Sequence, residues 1–118
     1  MISIDIHAMM REGKNTEFYN AVLGFESIPG LIVQLQNQIN CECYQIKEIN
    51  QNENEFYIKS EWQNWVSLEN HLQSDLFSVL LGMLQTLCTI QHVTITDGSC
   101  KYGMELFEKL RNNNRSSY

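Results

Sequence analysis

The first eleven residues commit the chain to a sheet with one buried face. Ile2, Ile4, Ile6, Ala8 and Met10 alternate with Ser3, Asp5, His7, Met9 and Arg11, and a two-residue period sends successive side chains to opposite faces of a strand. So continuous an apolar row needs a cover, which helices on one side of the sheet would supply. Past Gly13 the period changes. Phe18, Val22, Phe25, Ile28, Ile32, Leu35 and Ile39 follow at spacings of three and four, the stripe of one helix, with Asn15 or Thr16 as its cap. Pro29-Gly30 falls inside this stripe. Because the stripe resumes in phase, a kinked helix is expected rather than a split one.

Strand signals then return. Residues 40–49, NCECYQIKEI, predict a second strand, 49–55 a polar turn, and 56–62, FYIKSEW, a third strand closing an antiparallel hairpin. From Trp65 the apolar residues Leu68, Leu72, Leu76, Phe77, Leu80 and Leu84 regain helical spacing. Asn64 or Ser67 can cap them and Ser74-Asp75 can start a new turn, so one long helix and two short ones both fit. Residues 89–98, TIQHVTITDG, predict a fourth strand, and 100–114 a C-terminal helix with Met104, Phe107 and Leu110 on one side. This order is the α+β, ferredoxin-like βαββαβ plan, an antiparallel sheet with helices on one face, here with an extra C-terminal helix. Strand one is expected at its centre, between strands three and four. Residues 1–113 are read as one domain and 114–118 as a polar tail.

Bulk properties narrow the partners. The 118 residues suffice for one core. Fourteen acidic against eight basic side chains give a net charge of -6, which repels phosphate backbones and anionic membranes, so neither nucleic acid nor membrane is an expected partner. The run LFSVLLGMLQTLCTI is interrupted by Gln85 and too short to span a bilayer. The N-terminal residues lack the pattern of a secretory signal, and a cytoplasmic location is expected. Cys41, Cys43, Cys88 and Cys100 are accordingly expected as free thiols. Cys41 and Cys43 should share a strand face, and a lone Cys-x-Cys is a poor metal signal.

The segment Phe56-Tyr57-Ile58-Lys59-Ser60-Glu61-Trp62, followed by Ser67-Leu68-Glu69-Asn70-His71-Leu72-Gln73-Ser74-Asp75-Leu76-Phe77, resembles the antibiotic biosynthesis monooxygenase superfamily, particularly its quinol-monooxygenase-like members. The ending GMELFEKLR is similar to the C-terminal helix of one subgroup. The resemblance implies a homodimer whose two sheets pack into a dimeric α/β barrel. It also implies oxidation of a small quinol- or phenol-like aromatic substrate with O₂ and no cofactor. The chain departs from the family pattern at Ile39-Asn40, where Pro-Gly often precedes the second strand's cysteine, and at the inserted Pro29-Gly30. The Asn and His associated with haem-degrading relatives have no match, which leaves haem binding or breakdown the weaker alternative. A further alternative is a non-catalytic dimeric binding or interaction domain of the same fold.

The candidate site follows from register. Trp62 shares its row with Phe56, Ile58 and Ser60, so its indole points to the helix-covered face. There it either walls a pocket or fills the core. A cofactor-free oxygenase must hold a substrate anion, take a proton and exclude water. His71 and Trp62 are the candidate catalytic residues, with Trp62, Trp65, Phe77 and Tyr44 as substrate-binding positions. No metal ligand set is expected. His71, between Leu68 and Leu72, is placed at the edge of the apolar stripe, where it could serve as a base at a pocket rim or sit at the surface. His7 and His92 are placed together on the opposite sheet face, as a polar patch inside the dimer.

Overall fold

The computed structural model describes residues 1–49 and 54–112. The 114–118 tail and the middle of the 49–55 turn lie outside the described residues. A five-stranded antiparallel sheet has the order β4-β5-β1-β6-β7, formed by Cys41–Glu48, Glu55–Trp62, Ile2–Met10, Cys88–Asp97 and Cys100–Tyr102. As expected, β1 lies at its centre, with Ile6 opposite Ile58 on one side and Val93 on the other. The inward rows of β1 and β5 are buried residue by residue, and they join Leu68, Leu72, Phe77, Leu80 and Leu84 in one core. The ferredoxin-like α+β architecture is therefore present.

The first helical stripe is cut in two, correcting the expected kink. Helix α1 spans Asn15–Leu23, and α2 spans Leu31–Gln36. Between them Gly24–Phe25 (β2) and Ile28–Pro29 (β3) pair as a short ribbon. Gly24 takes φ 99°, a conformation that ends a helix and suits glycine, while Pro29 supplies no amide with which the helix could continue. The chain folds back so tightly that a side chain on Gly30 would meet the carbonyl of Val22 and the amide of Gly24. Phe25, Ile28 and Ile39, expected on the buried stripe, are consequently 53%, 68% and 86% exposed. Neither Asn15 nor Thr16 caps α1. Lys14 occupies the cap position without a side-chain hydrogen bond.

The second stripe is two helices, α3 Trp65–Leu72 and α4 Asp75–Leu87. Asn64 caps α3 by accepting from the Ser67 amide at 2.9 Å, and Ser74 caps α4 by accepting from the Phe77 amide at 3.1 Å. The chain breaks at Ser74, whose hydroxyl donates to the His71 carbonyl at the end of α3 and accepts from a first-turn amide of α4. Two further expectations are corrected. Cys100–Tyr102 belongs to a strand because Gly98, at φ 59°, turns the chain into a hairpin, so α5 is only Met104–Asn112. A bulge between Cys41 and Cys43 puts them opposite Trp62 and Glu61 respectively, hence in different rows rather than on one face. All four cysteines are free. Among the described residues no helix is long and apolar enough to cross a membrane.

Candidate functional site

Alternation along β5 turns Trp62 inward, as the sequence indicates, and its indole N–H donates to Ser60 Oγ at 2.9 Å. Helix α3 brings His71 over the indole, with ring centroids 4.5 Å apart and 23° between planes. Tyr44 on β4 meets both rings edge-on, and Phe77 from α4 meets the imidazole edge-on at 5.0 Å. Tyr44, Trp62, His71 and Phe77 are all 3% exposed or less. His71 is thus a core residue, which corrects its placement at the edge of the stripe. The segment after α2 covers that edge with Gln38, whose Oε1 lies 2.8 Å from His71 Nδ1.

The hydrogen bonds assign the proton positions. Gln38 Nε2 donates to the Leu35 carbonyl at 2.9 Å, which turns Oε1 toward the imidazole as an acceptor. His71 Nδ1 must then carry hydrogen, and Nε2 accepts from the Tyr44 hydroxyl at 3.0 Å. Burial lowers the His71 pKa to about 3 and pushes the Tyr44 phenol up, because each charged form would lose its hydration. The pair is neutral at physiological pH. No buried side-chain nitrogen or oxygen among the described residues lacks a partner.

Three hollows lie away from this cluster. One of about 300 Å³ opens on the sheet face that carries Asp5 and Tyr57. A second lies between α4, β6 and α5, and a third between α1 and α4. None of them is lined by Trp62, His71, Tyr44 or Phe77. Trp65 stands apart from this cluster in its contacts. Its indole donates to Asp97 Oδ2 at 3.0 Å and its ring meets Tyr102 edge-on. Sequence reasoning missed Ser60 and Gln38 as partners. Ser60 was legible in the Trp62 row, whereas Gln38, 33 residues from His71, carried no signal.

On the other sheet face His7 and His92 meet as expected, Nδ1 to Nδ1 at 3.3 Å, while His7 Nε2 lies 2.7 Å from Glu55 Oε1. Tyr57 packs 4.9 Å from the His7 ring. Among the described residues no group of three or more His, Cys, Asp or Glu side chains is arranged to hold a metal ion.

No protein-family model matches the chain, and no curated protein matches it. Solved structures do. A conserved protein from Methanosarcina mazei Go1 is 21% identical with a TM-score of 0.68, over 80% of this chain and 89% of that one. A protein from Nitrosomonas europaea, provisionally named an antibiotic biosynthesis monooxygenase, is 11% identical with a TM-score of 0.68, over 85% and 100%. A Bacteroides thetaiotaomicron VPI-5482 protein of unknown function, described as a possible oxidoreductase, is 18% identical with a TM-score of 0.64, over 87% and 96%. At these identities the likeness is one of fold.

Proposed function

We propose that this chain uses the fold shared with proteins named antibiotic biosynthesis monooxygenases as a homodimeric binding domain, and that its Trp62–His71 interior is structural. The observation that carries this reading is the filled interior. The rings of Tyr44, Trp62, His71 and Phe77 contact one another where a substrate ring would have to lie. A cofactor-free oxygenase needs a dry space beside a base poised near the working pH. The His71 lone pair is engaged by Tyr44, and a pKa of about 3 makes it a weak base at neutral pH. Haem gains nothing from this geometry either, since both ring nitrogens of His71 are engaged.

The expected partner is a second copy laid on the sheet face of His7, Tyr57 and His92, giving the two-sheet barrel. That face carries the His7, Tyr57 and His92 rings in contact with one another, with His7 and Tyr57 half-buried and His92 exposed in the single chain.

One observation favours a second reading, cofactor-independent oxidation of a quinol- or phenol-like molecule by O₂ in the cytoplasm. His71 Nε2 already accepts a phenolic O–H, so a substrate hydroxyl could replace that of Tyr44 if α3 moved away from the sheet. Oxygen uptake by metal-free protein across a panel of hydroquinones separates the two. The binding-domain reading expects no uptake above the rate without protein. Saturable uptake that disappears in His71→Phe would establish the second reading.

A further inference from the structure

We propose that the His7–His92 pair is a proton switch that loosens the homodimer as the pH falls. The switch deepens the homodimer reading and rests on it, because the pair lies on the sheet face given to the second copy. A carboxylate only accepts, so His7 Nε2 carries hydrogen and donates to Glu55 Oε1 at 2.7 Å. A neutral His7 therefore keeps a lone pair on Nδ1. The 3.3 Å approach of the two Nδ1 atoms is then a hydrogen bond that His92 donates, which leaves Nε2 of the exposed His92 as an acceptor. One proton taken from solvent reverses this arrangement. With hydrogen on both nitrogens of His7, its Nδ1 becomes the donor, His92 Nδ1 must accept, and the hydrogen of His92 is carried on Nε2. The face gains a positive charge, and His92 turns from acceptor to donor toward the second copy. A second proton would set two N–H groups against each other and break the pair.

The rest of the face makes that added charge matter. Alternation along the strands puts Asp5 of β1, Glu55, Tyr57, Lys59 and Glu61 of β5, Cys43 and Lys47 of β4, and Lys101 of β7 on the same side as the pair. Among the described residues three carboxylates thus meet three ammonium groups, and with neutral imidazoles each copy brings a balanced surface. Two balanced surfaces pack at little electrostatic cost. A protonated pair on each copy instead sets like charges on the two apposed faces, out of water. Separation returns those charges to water, so the single chains bind protons more readily than the dimer does, and affinity is lost as the pH falls. Burial raises the pKa of Asp5, and its protonation would shift the balance in the same sense.

The test is the dimer dissociation constant of the whole chain, from sedimentation equilibrium at about pH 8 and about pH 5.5, an interval that spans the ordinary titration of imidazole. It should rise at least about tenfold at the lower pH, with the circular dichroism spectrum unchanged. His71 is silent there, since burial holds its pKa at about 3. The His7→Gln/His92→Gln variant, polar at both positions but without imidazoles, should respond less than about threefold, whereas Asp5→Asn should keep the response of the parent. Nitrogen-15 spectra of the parent at the higher pH should place hydrogen on His7 Nε2 and His92 Nδ1, a readout that stands even where a variant fails to dimerise. A dissociation constant independent of pH, an equal rise in the His7→Gln/His92→Gln variant, or hydrogen on His92 Nε2 at the higher pH would each overturn the switch and leave the dimer standing. A monomer at both pH values would remove the homodimer reading and the switch with it.

Discussion

His71 is where a side chain that looks catalytic in sequence becomes part of the core. In the unfolded chain it takes a proton near pH 6.5, whereas the folded chain refuses one until about pH 3. As pH falls through that window the unfolded state binds the proton first, so stability present above about pH 6.5 is lost progressively toward pH 3, by a few kcal/mol. Asp5 acts in the opposite sense, since burial raises its pKa and folding then gains as the carboxyl protonates. Urea midpoints measured against pH should show the acid-side fall, and His71→Gln should flatten it. Trp62→Ala should cost ~3–5 kcal/mol of unfolding free energy, as expected for deleting a packed indole. A cost under ~1 kcal/mol would indicate a ring beside empty space instead. The inward turn of Trp62 was legible because alternation fixes it. The burial of His71 was not, because its cover comes from Gln38, a residue with no periodic relation to it.

Among the elements, those read correctly are the ones whose period and punctuation agree. Strands β1, β4, β5 and β6 and the Asn64 and Ser74 caps follow from local rules. Asn64→Ala should accordingly cost ~1 kcal/mol in chemical denaturation. The first helix was misread because in-phase apolar residues on either side of Pro29 mimic one stripe, while the deciding residue is Gly24, whose left-handed backbone folds the chain back before the proline is reached. Gly30→Ala probes this contact directly. With backbone atoms of Val22 and Gly24 occupying the place of the new methyl group, the ribbon must open, at a cost on the order of 3 kcal/mol. An unchanged urea midpoint would show that the two helices are not held by that approach. The strand Cys100–Tyr102 was missed for a similar reason: three residues are too few to display a period, and only Gly98 marks the turn.

For the molecule as a whole, the order of elements carried the fold, and solved structures share that fold. Function was less legible, because a pocket depends on what does not fill it, and the rings that close this interior come from four separate elements. Pairing of two sheets predicts a dimer by light scattering at micromolar concentration, and a monomer there would remove the second copy from the account. The central claim, that the interior beside Trp62 is closed to ligands, is tested most directly by following the Trp62 indole N–H resonance during a hydroquinone titration. It should stay in place up to the solubility limit. A saturable shift of that resonance together with those of His71 would contradict the account.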